Sequence, residues 1–419
     1  MTDLRANQIF DLIIVGGGIG GAALGAAMAG AGCDVLILEK SEVFHDEVRG
    51  EWIAPWGVAE TRRLGLYDVL IAAGGHCVNE HVTYDELLAP SEAEAKAIPL
   101  EVFVPDVRGP LCLGHPRHCQ TLFNEAKRRG AMVHRGVDVT RVVAGPAPEV
   151  AFTLGDEPHR VRARLVVGAD GRNSMVREAA GVTLHADKPH HIFGGMLVEN
   201  VPGWDERRQA IGTEGDFAFL AFPQGGGRLR VYGSYSLEQR RRFAGPDGPQ
   251  RFLDAFRMNC SPANALIADG QAAGPLRSYF NNDSWTDAPF AEGVVLVGDA
   301  AGWNDPINGL GLSITYRDVR IVSDLLLSTD DWTPALFVPY GQERRERMRR
   351  LRFVGAVQSV LDAEFTEAAR ERRRGYFERA SEDPSLRSHV VALMAGPEAV
   401  AADAFTPDYW ARVVKAEFA

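Results

Sequence analysis

Between Asp11 and Lys40 the chain reads DLIIVGGGIGGAALGAAMAGAGCDVLILEK. DLIIV is a continuous apolar run, the pattern of a parallel strand buried on both faces rather than one with a wet side. Gly16-x-Gly18-x-x-Gly21 follows, then an Ala-rich helix to about Gly30, then a second apolar strand ending at Glu39. Strand, glycine turn, helix and strand-terminal acid in this order predict an α/β dinucleotide fold. Gly16 permits the tight turn, Gly18 lets a diphosphate approach bare backbone, and Gly21 lets helix and strand pack closely. The helix N-terminus offers free N–H groups and partial positive charge to the phosphates. Glu39 can accept hydrogen bonds from ribose hydroxyls, and Lys40, next along, is counted with the binding residues. The motif does not separate one adenine dinucleotide from another.

The stretch Leu12–Cys33 is uncharged and long enough to cross a bilayer. Asp11 borders it, however, no basic segment precedes it, and its glycines form one cluster rather than a face, so no membrane association is expected. With 419 residues, 46% apolar and 24% charged, the chain is an ordinary globular protein of two or three domains. A net charge of −11 argues against a nucleic-acid surface. The five cysteines are odd in number and never spaced as CxxC, which favours reduced thiols and a cytoplasmic location.

Two further motifs lie downstream. RLVVGADGRNSMVRE, Arg164–Glu178, is an apolar strand followed by Asp170-Gly171-Arg172 and a helix start with Ser174 as N-cap. GDAAGWNDPINGLGLSITYRDV, Gly298–Val319, follows the apolar run GVVLV. Its glycines suggest an unusual turn or backbone lying against a ligand. Asp299 sits at the carboxyl end of a parallel strand, where ligands bind in such sheets.

In order and spacing the three motifs resemble those of the flavoprotein monooxygenases of the p-hydroxybenzoate hydroxylase type. The resemblance covers roughly residues 8–330 in layout, with matching confined to the motifs. It implies a Rossmann-like FAD-binding domain (GR2-type) with an interleaved β-sheet substrate domain and a helical C-terminal tail. The expected segments are 1–73, 111–181 and 283–331 for FAD, 74–110 and 182–282 for substrate, and 332–419 for the tail. Residue by residue, it assigns Gly16, Gly18, Gly21 and Glu39 to the ADP half, and Arg49 in EVRGEW to the pyrophosphate. Asp170 belongs to the second motif, and Asp299 would bond the ribityl chain. Pro306 and Gly311 would lie against the reacting ring, with the backbone N–H groups around Leu312 and Ser313 facing its pyrimidine carbonyl. In GHPRHCQTLFNEA the family places a polar residue touching the flavin. Either His115 or Arg117 can fill that place, with Arg117 counted among the binding residues. Ser313 stands where some members carry Asn.

The implied activity is monooxygenation. NAD(P)H reduces FAD, O2 adds at C4a, and the hydroperoxide gives one oxygen atom to a small aromatic or polycyclic molecule. No second GxGxxG follows a strand, so the nicotinamide binds only transiently. A reductase of the geranylgeranyl reductase type is the main alternative, followed by a halogenase and a non-enzymatic FAD-binding protein. Halogenases carry WxWxIP and an essential lysine, whereas the tryptophans here occur in EWIAPW, GWND and SWTD, with only Lys96 near the expected region.

FAFLAFPQGGGRLRVYGSY, Phe217–Tyr235, predicts a hairpin, and its first strand holds no Arg or Lys. In p-hydroxybenzoate hydroxylase an arginine of that strand clamps a carboxylate; here the place falls near Pro223. The aromatic supply is Phe217, Phe219, Phe222, Tyr232 and Tyr235, with Phe217, Phe219 and Tyr232 counted as the substrate contacts, favouring a flat neutral ring. Arg230 shares a face with Tyr232, but alternation alone does not say which face is inward. His190–His191 and His115/His118 lack a carboxylate or Cys partner at ligand spacing, so no metal is expected. The basic runs QERRERMRRLRF and RERRRGYFER read as solvated, ion-paired helix faces. The sequence gives no oligomeric state.

Overall fold

In the computed structural model, which describes residues 8–415, the first apolar run forms β1 (Ile9–Val15), the glycine turn opens α1 (Ile19–Gly30), and the second run forms β2 (Val35–Glu39). β1 is central, parallel to β2 on one side and to Glu157–Gly168 on the other. Val294–Leu296 and Met132–Arg135 extend the parallel sheet at either side. The unbroken apolar pattern of β1 has a direct cause. Leu12 and Ile14 enter the core under α1, while Phe10, Ile13 and Val15 enter a second core on the opposite face.

A second sheet runs, in spatial order, through Gln271–Ala272, His191–Glu199, Leu229–Tyr235, Phe217–Pro223, Arg208–Glu214, Glu80–Asp85 and Ile98–Pro99. The predicted hairpin is present, with Ala218 opposite Ser234 and Pro223 opposite Leu229. Its turn needs glycine, because Gly225, Gly226 and Gly227 all hold positive φ. Phe217 packs edge-on against Phe243, Phe252 and Phe256, on the face turned away from the first sheet's ligand edge. Leu220, Phe222 and Tyr232 take the other face.

Helices Val338–Asp362, Glu367–Glu382, Ser388–Ala395 and Pro407–Val414 form the C-terminal region around their own apolar cluster, which includes Val354, Val357 and Val413. Here the basic runs depart from expectation. Arg349 and Arg350 do pair with Glu346 at the surface, but Arg344 and Arg347 are buried and grip Asp318, at 3.0 and 2.6 Å. Arg373 likewise is buried on Asp85 and Glu86. Helical spacing placed these guanidiniums on the inner side, where distant carboxylates satisfy them. Among the described residues no helix is long and apolar enough to cross a membrane.

Candidate functional site

A cavity of about 310 Å³ starts at the N-terminus of α1, at Ile19 and Gly20, and reaches Leu220, Phe222 and Tyr232 on the second sheet. At the α1 end, Gly16 has φ +99, and a Cβ there would stand 2.3 Å from the Ala169 carbonyl oxygen. A Cβ on Gly21 would stand 1.9 Å from the Gly16 carbonyl oxygen, so neither turn nor helix packing admits a side chain. A Cβ on Gly18 would meet nothing within 4 Å. Glu39 closes β2, its carboxylate accepting from the N–H groups of Gly17 and Ser41, both at 2.7 Å. Each oxygen keeps a further lone pair for a ligand hydroxyl. Lys40, next along, is exposed. Arg49 is exposed at the cavity wall with its guanidinium 5.4 Å from the Tyr279 ring centre, and makes no ion pair among the described residues.

The third motif forms the opposite wall. Asp299 lines it and pairs with Arg172 at 3.3 Å. Pro306, Gly311 and Leu312 line it too, and Gly311 opens the helix Gly311–Ser328, whose first N–H groups have no intrahelical partner. A Cβ on Gly311 would meet nothing within 4 Å and its φ lies outside the left-handed range, so this glycine answers to no protein neighbour. The loop is anchored from behind. Arg344 donates to the carbonyls of Ala301 and Gly302 at 2.8 and 2.9 Å, while Asp318 accepts from the Gly298 N–H at 2.9 Å. Sequence reading missed this anchor because Arg344 lies in what looked like a solvated run.

Three expected residues take other places. The Ser313 side chain turns away from the cavity and accepts from the Ala54 N–H at 3.0 Å, leaving only its backbone near the helix start. The Asp170 carboxylate accepts from the Val176 N–H at 3.2 Å, while its neighbours Ala169 and Gly171 line the wall. Arg117 is exposed and packs against Gly74, 3.2 Å from where a Cβ there would stand; His115 is the side chain that reaches the cavity. Both lie in the first turn of the helix His115–Arg128, pointing different ways around its axis. His118 faces inward instead, 2.5 Å from the Tyr316 hydroxyl, and burial pushes its pKa down to about 3, so it is neutral.

Among the expected substrate contacts, Tyr232 lines the cavity, whereas Phe217 is core and Phe219 stacks on Tyr84, both away from it. On the first strand of the hairpin the inward set is Leu220 and Phe222, of which the expected aromatic lining held Phe222. Arg230 shares the inward strand face, but its Nη2 is drawn to Glu51 at 2.5 Å and Asp46 at 2.7 Å, while its Nε and Nη1 are buried without a partner and it does not line the cavity. The Tyr232 hydroxyl donates to the second oxygen of Glu51 at 2.9 Å. Burial, outweighing Arg230, pushes the Glu51 carboxyl up to about 7. Glu51 follows Arg49 by two residues and carries no motif of its own; an acid set directly before WIAPW is the one local signal for it.

His190 and His191 have the partner their sequence lacked. Asp305 lies 3.3 Å from each ring, brought there by the loop that carries Pro306. The three donor groups stand within 4.8 Å of one another. Asp305 is itself held by its N–H donating to Asp283 at 2.8 Å, and burial beside Asp305 pushes the Asp283 carboxyl up to about 7.

The cavity fits a flavin dinucleotide. Open space stands at Gly18 and Gly311, and a free guanidinium lies at the wall. Asn281, with both side-chain polar atoms buried and unpartnered, and Trp303, with its indole N–H unpartnered, line it as well.

Comparison with known proteins agrees with this geometry. The family model described as FAD binding domain matches residues 10–352. The chain is 28% identical over 381 residues to 3-demethoxyubiquinol 3-hydroxylase of Escherichia coli, covering 85% of this chain and 89% of that protein. It is also 28% identical over 359 residues to digeranylgeranylglycerophospholipid reductase 1 of Methanopyrus kandleri, covering 80% and 86%. The solved structure of p-nitrophenol 4-monooxygenase from Pseudomonas putida superposes with a TM-score of 0.79 at 16% identity, covering 93% and 99%.

Proposed function

This chain belongs to the FAD binding domain family and acts as an FAD-dependent monooxygenase; we propose that its substrate is a neutral or weakly acidic aromatic or polycyclic molecule, with O2 as co-substrate and NAD(P)H as transient donor. When bound, FAD supplies the redox chemistry, carrying reducing equivalents from the nicotinamide to dioxygen. The protein holds and orients. Gly16, Gly18 and the start of α1 receive the diphosphate together with Arg49, Glu39 takes the ribose, and Asp299 takes the ribityl chain. Pro306 and the N–H groups of Gly311 to Ser313 meet the ring. Leu220, Phe222 and Tyr232 line the same cavity and would exclude water from the reacting centre. Glu51 is placed to take a proton relayed through the Tyr232 hydroxyl from a phenolic substrate.

The observation that carries the substrate assignment is Arg230. It shares the strand face of Tyr232, yet two carboxylates, Glu51 and Asp46, stand against it and balance its charge, and it does not line the cavity. The one cation of the hairpin strands that shares the Tyr232 face is thus already neutralised and is not offered to a benzoate. The named reactions of the Escherichia coli and Pseudomonas relatives, on a quinol and a nitrophenol, support an aromatic ring. Five free cysteines support work in the reducing cytoplasm. The test compares NAD(P)H oxidation and product formed with phenols and polycyclics against matched benzoates. Preference for the uncharged compounds is expected. Preference for the carboxylates, lost in Arg230→Ala, would overturn the assignment.

A further inference from the structure

A second cavity, of about 240 Å³, adjoins the first, and the two share Trp52, Phe193, Leu220, Phe222 and Gly309 in their walls. Its floor is the second sheet, at Thr83, Ile211 and Leu220. Its roof is the C-terminal region: Leu361, Phe377, Ala380, Val390, Leu393 and Met394, from three helices. This roof gives the C-terminal helices a role beyond anchoring the third motif.

The polar side chains of this chamber are mostly closed on one another. Trp52 Nε1 donates to Gln209 at 2.8 Å, Gln209 Nε2 meets His81 Nδ1 at 3.1 Å, and His81 Nε2 meets the Thr83 hydroxyl at 3.0 Å. Burial pushes the His81 pKa down to about 4, so the chain carries no charge. Asp85 is paired with Arg373, and Gln358 donates to the Asp362 carboxylate. Among the described residues, only Ser234 Oγ and Asn308 Oδ1 are buried, line this chamber and lack a partner. Asn308 adjoins Gly309, which both chambers share, and Ser234 stands two residues beyond Tyr232 on the same strand face. Both therefore lie toward the neck and not under the roof.

We propose that the two chambers hold one elongated substrate: its ring lies in the first, and an apolar extension attached to that ring passes Phe222 and lies under the C-terminal helices. This rests on the monooxygenase reading above. Polar substituents near the ring meet Ser234 and Asn308, while the extension meets mostly apolar or hydrogen-bonded walls, with Lys96 and Arg387 the exposed charged groups of the lining, and gains by leaving water.

The test uses the FAD-loaded protein and the series 4-methylphenol to 4-octylphenol. Binding to the oxidised enzyme is followed through the flavin spectrum and by calorimetry, without turnover. Affinity is expected to rise roughly threefold to fourfold per methylene until the second chamber is full, and then level off. Ala380→Phe and Val390→Trp, each narrowing the chamber from a different helix, are expected to bring the plateau to shorter chains. Binding of 4-methylphenol and the flavin spectrum stay unchanged in both. Affinity independent of chain length, no binding of the longer members, or an unmoved plateau in two folded variants would overturn the proposal. Hydroxylation of 4-methylphenol with no length dependence would leave the monooxygenase reading intact. Length-dependent binding without oxygen insertion would overturn that reading and leave the chamber standing.

Discussion

Gly311 is the residue on which flavin contact and protein packing separate most cleanly. Its backbone suits any residue and its Cβ position is open, so Gly311→Val leaves the apoprotein intact and clashes only with a ligand. FAD affinity is expected to fall by about 1–3 kcal/mol, the usual cost of overpacking, with the apoprotein melting temperature unchanged. Titration of apoprotein with FAD checks this, and an unaltered affinity would remove the loop from the ring. Glu51 makes a different kind of prediction. Its folded pKa of about 7 lies above the ordinary 4.5, so the folded state holds the proton more tightly. The resulting stability is full below about pH 4.5 and is lost as pH rises through about 7. Glu51→Gln has no such proton. The stability of the parent relative to the variant should therefore decline by roughly 3 kcal/mol across that window. Denaturation of the apoproteins at several pH values measures it; a constant difference would place Glu51 outside the buried network.

At the scale of elements, the helix Val338–Asp362 fixes the third-motif loop at the cavity wall, through Arg344 and Arg347 on Asp318. Arg344→Met leaves Asp318 short of a partner in a buried setting and should cost about 3–5 kcal/mol. Adding Asp318→Asn should recover part of that loss, since the two changes share one interaction. Thermal unfolding of the two single variants and the double variant completes the cycle, and strict additivity would contradict the anchoring role. What sequence could and could not show follows the same line. The α1 turn, Glu39, and the second and third motifs are legible because neighbouring residues carry each requirement: positive φ at Gly16, a strand end at Glu39, an N-cap at Ser174 whose Oγ accepts from the Arg177 N–H at 2.9 Å. The inner wall was not. In Phe217–Pro223 both alternating sets are apolar, so period 2 yields two faces with no mark of which is inward. Glu51 with Arg230, His191 with Asp305, and Asp318 with Arg344 are pairs that only the folded chain brings together.

Across the whole molecule, a parallel sheet presents the dinucleotide cradle, a mostly antiparallel sheet faces it, and the C-terminal helices both brace the third motif and roof the adjoining chamber. That division suits an enzyme whose cofactor does the redox chemistry while the fold sets what may approach it. Relatives named as a hydroxylase and as a reductase are each 28% identical to this chain, so likeness alone does not select the reaction. The fate of oxygen does. The decisive measurement is turnover of the best phenolic or polycyclic substrate under ¹⁸O2 with NAD(P)H, followed by mass spectrometry of the product. The account predicts one ¹⁸O atom per product molecule, with none when the label is supplied as water; a product that gains hydrogen and no ¹⁸O would contradict it.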